Sequence, residues 1–200
     1  YGGSWKAMHY MVRRFFQPVA VAAIPSEDGT TIALSMVNDT LDTVTLDANL
    51  FVLTLSGDRI PLKSVQGDCG PDAADVLVTL DASEIPADGL LAWSFIASNG
   101  MSGEGHFLDG TYKALELEPP RLETTVAPTV DGAFEVTVTA RGLALFVMLE
   151  SATPGRYSDN AFDLSAGESR RILFTPNTAL AAGEIPEFRI YDLYTCQSAD

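Results

Sequence analysis

From Pro18 onward the apolar residues of this chain recur with a period of two, in short runs rich in β-branched and aromatic side chains that end at Gly, Pro, Asn or Asp. Successive side chains of a strand point to opposite faces, so this pattern specifies antiparallel sheets and not helices. The expected strands are Val19–Ile24, Thr31–Val37, Thr43–Leu55, Ile60–Val65, Ala74–Leu80 and Leu90–Ala97, with a weaker one at Tyr112–Leu117. Asp28-Gly29, Ser56-Gly57-Asp58, Gly67-Asp68, Asp88-Gly89 and Asn99-Gly100 supply the turn chemistry between them. About seven strands in about 100 residues is the size of an immunoglobulin-like sandwich. Glu118-Pro119-Pro120 then interrupts the ladder, because proline has no N–H to give a sheet, and a module boundary is expected there.

The second stretch repeats the grammar. Leu122–Val130 and Phe134–Ala140 flank a hairpin turn at Asp131-Gly132, and Phe134, Val136 and Val138 alternate with Glu135, Thr137 and Thr139. That alternation is a strand with one wet face. Leu143–Leu149 is continuously apolar, as in a strand buried on both sides, and Arg170–Phe174 and Phe188–Tyr194 complete a second, compact sandwich.

Ahead of Pro18 the period is helical. Ser4 is a suitable N-cap, Trp5, Met8, Val12 and Phe15 or Phe16 form one apolar stripe, and Arg13 and Arg14 sit where positive charge suits the C-terminal end of the helix dipole. A helix of about 12 residues is marginal alone in water and needs a surface for its stripe. That surface is either a sheet of this chain or a body of protein outside it. The opening on Tyr1, with no charged leader and apolar run, reads as an internal start.

Twelve basic residues against 27 acidic ones give a net charge of −15, which repels phosphate backbones and anionic lipid headgroups, so nucleic acid and membrane are not expected partners. No apolar run approaches the roughly 20 residues that span a bilayer. Cys69 and Cys196 are too far apart for metal-ligand spacing, and two such thiols suit either a cytoplasmic or a periplasmic or secreted setting.

The search for catalytic residues yields little. Ser158-Asp159-Asn160 matches the tripeptide of penicillin-recognising serine enzymes, but the accompanying Ser-x-x-Lys and Lys-Thr-Gly are missing, and the stretch reads as a turn. His9 and His106 fall in different elements with no second ligand nearby, so neither a metal site nor a Ser-His-Asp arrangement is expected. Gly100, Gly103 and Gly105 form a glycine-rich loop without the strand-then-helix context of a dinucleotide site. Asn38-Asp39-Thr40 is a formal glycosylation sequon. Trp93 alternates with Leu91 and Phe95, as a core residue would, although an exposed tryptophan could serve as a sugar platform. From the residues alone there is no catalytic, metal-binding or cofactor-binding residue to name.

Three blocks resemble a known family. Gly3-Ser4-Trp5-Lys6-Ala7-Met8-His9-Tyr10, continuing through Arg13-Arg14-Phe15-Phe16 to Pro18-Val19, is similar to the segment that closes the catalytic barrel of β-mannosidases in glycoside hydrolase family 2. Val37-Asn38-Asp39 resembles a step in the first strands of the β-domain that follows that barrel. Ala144-Leu145-Phe146-Val147, with Pro154-Gly155-Arg156-Tyr157-Ser158-Asp159-Asn160-Ala161-Phe162-Asp163-Leu164 and Gly167-Glu168, resembles the signature of the terminal sandwich of the same enzymes, Ser165-Ala166 replacing a Leu-Pro step. The resemblance implies an all-β architecture of two immunoglobulin-like β-sandwich domains in tandem, preceded by one α-helix left from a TIM barrel. Residues 1–17 would be the final helix of a truncated (β/α)₈ barrel, 18–118 the first sandwich and 119–200 the C-terminal one.

By the same resemblance the whole protein is a retaining glycosidase acting on terminal non-reducing β-mannosyl residues. Its two catalytic glutamates and the tryptophan-rich strand that lines its sugar subsite would precede Tyr1, leaving this chain inert, with no catalytic residue and no cofactor. Exo-β-glucosaminidases and β-galactosidases of the family share the plan, and a carbohydrate-binding or adhesin-type module is the alternative from another class. The expected partner is the catalytic barrel, with a homodimer through Trp5, Met8, Val12 and Phe16 as a second use of the stripe, or a refolding of the helix onto the first sandwich.

Overall fold

The computed structural model of the chain describes residues 5–181 and 183–198. Ser4, the expected N-cap, lies outside the described residues. Half of the chain is strand and a tenth helix, which makes it an all-β sandwich protein. No helix among the described residues is long and apolar enough to cross a membrane. Two compact units are present. One takes Arg13–Thr54 and Arg59–Leu115, and the other takes the residues up to Val12, Leu55–Asp58 and everything from Glu116.

The first unit holds β1 (Val19–Pro25), β2 (Thr31–Asn38), β3 (Val44–Thr54), β4 (Arg59–Cys69), β5 (Ala73–Asp81), β6 (Gly89–Ala97) and β7 (Ser102–Phe107). They form a three-stranded sheet in the order β1-β2-β5 and a four-stranded sheet in the order β4-β3-β6-β7, every pairing antiparallel. In β3 the alternation works as expected: Val44, Leu46, Ala48 and Leu50 are buried, while Asp47 and Asn49 are exposed. These side chains join Leu34, Met36, Trp93 and Phe95 in one core, and burying each large apolar side chain contributes about 1.5–3 kcal/mol.

Three sequence expectations fail in this unit. Tyr112–Leu117 is not a strand but a single 3₁₀ turn at Tyr112–Ala114 followed by irregular chain. Gly67-Asp68 is not a turn; β4 runs straight through it, paired with Leu46 and Thr45. The glycine-rich loop is in fact strand β7. There Gly105 lies opposite Trp93 and Gly103 opposite Phe95, and a Cβ on either would stand 2.6 Å from the ring across from it. The glycines of this edge strand leave room for the aromatic rings of β6 to lie over the backbone.

The second unit holds β8 (Glu123–Pro128), β9 (Phe134–Thr139), β10 (Ala144–Glu150), β11 (Gly155–Tyr157), β12 (Phe162–Leu164), β13 (Ser169–Pro176) and β14 (Arg189–Tyr191). Its sheets are β11-β13-β9-β8 and β12-β10-β14. Phe134, Val136 and Val138 point inward, as their alternation requires, to meet Val147, Phe162, Ile172 and Phe174. The expected strand Phe188–Tyr194 is cut short, because Asp192 caps the N-terminus of helix α2 (Leu193–Gln197) by accepting the Thr195 N–H. Nor is β10 buried on both sides throughout: Phe146 and Met148 are half-buried, and a bulge between Ala144 and Val147 breaks its register with β12.

Helix α1 spans Ala7–Phe15 and ends with Arg13 and Arg14 in its last turn. Its one buried residue is Tyr10, while Met8, Phe15 and Phe16 are 66%, 72% and 82% exposed.

Gly105→Ala is expected to destabilise the first unit by about 1–3 kcal/mol, since the new methyl displaces Trp93 from a packed core. A thermal melt followed by tryptophan fluorescence checks this. An unchanged midpoint would mean that the ring does not depend on the glycine.

Candidate functional site

Among the described residues His9, His106, Cys69 and Cys196 stand on four separate elements, α1, β7, β4 and α2. His9 is exposed on α1, where its Nδ1 accepts the Lys6 N–H at 3.3 Å. His106 stands on β7 with its Nε2 2.7 Å from the Tyr112 hydroxyl. Among the described residues no group of three His, Cys, Asp or Glu side chains is placed to hold a metal ion. Cys69 is buried and Cys196 exposed, both as free thiols. Burial, with the neighbouring Asp75 carboxylate, pushes the Cys69 thiol up from its ordinary value. Trp93 is 5% exposed and offers no platform. Asn38 of the sequon is fully buried; its Nδ2 donates to the Asp42, Cys69 and Gly70 carbonyls, and its Oδ1 accepts from the Thr40 N–H and hydroxyl. An amide so committed is a structural corner with no nitrogen left to modify.

The Ser158–Leu164 stretch has a definite job in the second unit. Tyr157 pairs with Phe174, and one residue on, the Ser158 N–H donates to the Leu173 carbonyl at 2.8 Å while its Oγ accepts the Leu173 N–H at 2.9 Å. In the other sheet Val147 pairs with Phe162, so continuing the register places Leu149 opposite Asn160. There the chain has turned away, through Ala161 at φ +55°. The Asn160 side chain replaces the missing peptide: Oδ1 accepts the Leu149 N–H and Nδ2 donates to the Leu149 carbonyl, both at 2.9 Å. Asp159 lies between them, its Oδ2 3.4 Å from Arg170, whose guanidinium also covers the Phe162 ring at 4.9 Å. Asp163 Oδ1 accepts the N–H of the bulged Phe146 at 2.8 Å, and Glu168 accepts the Ser165 N–H at 3.0 Å. Ser158, Asp159, Asn160, Asp163 and Glu168 thus each accept a backbone N–H where the chain crosses between the sheets, Asp159 from Asn160.

The same crossing carries the seat of α1. Tyr10 is 1% exposed, and its hydroxyl donates to the Tyr157 carbonyl at 3.4 Å. Beneath it Tyr157, Phe174 and Phe188 form an aromatic cluster, the Tyr157 and Phe174 rings 4.9 Å apart. Trp5 lies 5.5 Å from Tyr10 and receives the Arg156 guanidinium over its face at 5.5 Å. Burial, then the Tyr10 hydroxyl and Glu150, push the Tyr157 phenol far up, so it stays neutral. Sequence reasoning missed this seat because it followed the Trp5, Met8, Val12 stripe. Tyr10 lies two residues after Met8, about 200° round the helix. The signal was a tyrosine alone on the side where Lys6, Arg13 and Arg14 would otherwise imply water.

With this geometry in view, comparison with known proteins gives first a class and then a closer relationship. Residues 117–196 match the mannosidase Ig-fold domain. The chain is 25% identical over 201 residues to the β-mannosidase of Capra hircus, covering 94% of this chain and 22% of that protein. The β-D-mannosidase of Dictyoglomus thermophilum shares its fold at a TM-score of 0.75 and 18% identity, over 94% of this chain and 23% of that one. An exo-chitosanase of Amycolatopsis orientalis does so at 0.56 and 18%, over 94% and 27%. The chain is homologous to the C-terminal part of β-mannosidases and related family 2 exo-glycosidases. It spans less than a quarter of the length of the β-mannosidases it matches.

Two measurements test these assignments. Asn160→Asp sets a carboxylate oxygen against the Leu149 carbonyl in place of the Nδ2 donor, and should cost about 2–4 kcal/mol at neutral pH. Chemical denaturation reads it, and an unchanged midpoint would remove Asn160 from the ladder. Tyr10→Ala should release α1, so that amide exchange over residues 7–15 rises by about tenfold or more while strands β8 to β13 keep their protection. Retained protection of the helix would show that Tyr10 is not its anchor.

Proposed function

We propose that this chain is the accessory C-terminal part of a β-mannosidase, whose catalytic barrel hydrolyses terminal non-reducing β-mannosyl residues and whose two glutamates lie on that barrel. On this reading residues 1–17 end the barrel as its last helix, and residues 18–118 and 119–200 are two sandwiches that brace it. No residue of this chain is assigned a catalytic or substrate-binding role. The observation that carries the reading is the two-sided helix. Tyr10 is seated on the terminal sandwich, while Met8, Phe15 and Phe16 stand mostly bare and Val12 is 39% exposed. A single amphipathic helix with one docked side and one exposed apolar side requires a second body. The relatives, more than four times as long, supply room for one. Without that body, two copies of the fragment are expected to meet through Trp5, Met8, Val12 and Phe16.

Assay of the full-length protein and of this fragment on an aryl β-mannoside tests the proposal. Turnover is expected from the full-length protein alone. Turnover by the isolated fragment, or none by the full-length protein, would overturn it.

A further inference from the structure

We propose that the outer face of the β1-β2-β5 sheet is an interface, occupied by the upstream part of the same polypeptide. This inference rests on the reading above that the chain continues a larger enzyme. By strand alternation that outer face carries Ala22, Ile24, Ala33, Val37, Ala74 and Val76 around the buried Ser35, with Thr31, Thr79 and Asp81 toward one end. Ile24 and Val76 are 53% and 60% exposed. Neither β1 nor β2 contains a single charged residue, in a chain where one residue in five is charged. The other sheet of the same sandwich is the internal control. Its outer face also carries an exposed isoleucine, Ile96, but sets it among Asp47, Asn49, Ser64, Gln66 and Glu104, with Gln66 donating to Asp47 and Ser64 to Asn49, each at 2.7 Å. An antiparallel sheet that faces water is built like the second and not like the first.

The occupant follows from what is joined to the face in sequence. Phe15 and Phe16, exposed at the end of α1, belong to the same compact unit and reach β1 through only Gln17 and Pro18. A second copy would have to find both surfaces from solution. Chain upstream of α1 would be joined to them covalently through the helix, and in the Dictyoglomus thermophilum relative more than three quarters of the length lies outside the matched part. Tethering raises the effective concentration to the millimolar range or so. A flat face of alanine and valine also lets a helix or sheet approach closely, as a layer of a larger fold must.

The test is thiol accessibility in the full-length protein, carrying Cys196→Ser to remove the exposed native thiol. Ala22→Cys and Val76→Cys are compared with Ser64→Cys on the polar sheet by maleimide labelling, read peptide by peptide in a mass spectrometer. The expected result is labelling at positions 22 and 76 about tenfold or more slower than at 64, unchanged on dilution to a concentration at which sedimentation shows a monomer. Equal rates at the three positions would overturn the proposal. So would protection that disappears on dilution, which would assign the face to a second copy. Mannosidase activity is read on the same samples: protection without turnover leaves the interface standing and removes the functional reading, and turnover without protection does the reverse.

Discussion

The Asn160 amide is the pivot of the terminal sandwich. A chain that must leave one sheet and enter another loses its backbone pairing at the corner, and the orphaned N–H and C=O of the strand left behind are buried. Here Asn160 supplies one donor and one acceptor, the same pair a peptide would have offered to Leu149. Ser158 does the equivalent for Leu173 on the sheet being left. With both ladders closed by side chains, Ala161 is free to hold its positive φ, and Phe162 and Leu164 return as β12 to flank the bulge at Phe146. Tyr157 emerges from this corner with its carbonyl available to Tyr10 and its ring against Phe174 and Phe188. The seat of α1 is therefore a consequence of how the corner is satisfied.

Much of the architecture was legible because burial is periodic. β9 alternates so cleanly that its inward residues, Phe134, Val136 and Val138, are named in the correct phase, and the elements from β1 to β6 fall within a few residues of expectation. What escaped was structure whose cause is not local. β7 contains Gly103 and Gly105, which have no side chain to show a period, and their reason for being glycine is the pair of aromatic rings on the neighbouring strand. β11 and β12 have three residues each, too few to reveal a period of two. Asp192 could have been recognised as a helix cap, since Thr195 stands three residues on, but the apolar run through Tyr194 reads as strand until the tertiary ladder with β10 ends at Tyr191.

The signature residues around Ser158 teach a related lesson. Read as chemistry they suggest a nucleophile, an acid and an amide. The Ser158 hydroxyl is occupied by a backbone N–H, Asp159 by Arg170 and the N–H of Asn160, and Asn160 by Leu149. Polar residues whose hydrogen-bonding capacity is consumed by the main chain stabilise a fold and have little left to offer a substrate. Asn38 obeys the same logic in the first unit, where one amide ties the end of β2 to the loop after it and to the end of β4.

Function in such a chain is written in the surfaces that water does not explain. A net charge of −15 keeps most of the exterior hydrated, which makes uncharged stretches informative. The exposed side of α1, with Met8, Phe15 and Phe16, and the outer side of the β1-β2-β5 sheet, with Ile24 and Val76, set large apolar side chains within that charged surface. The β4-β3-β6-β7 sheet shows that the same sequence builds a wet face where one is wanted. Selection for solubility would have placed a lysine or glutamate among Ala22, Ala33 and Val37 at little structural cost, since outward positions on a sheet tolerate them. Small apolar residues at those positions are what a covered face would carry.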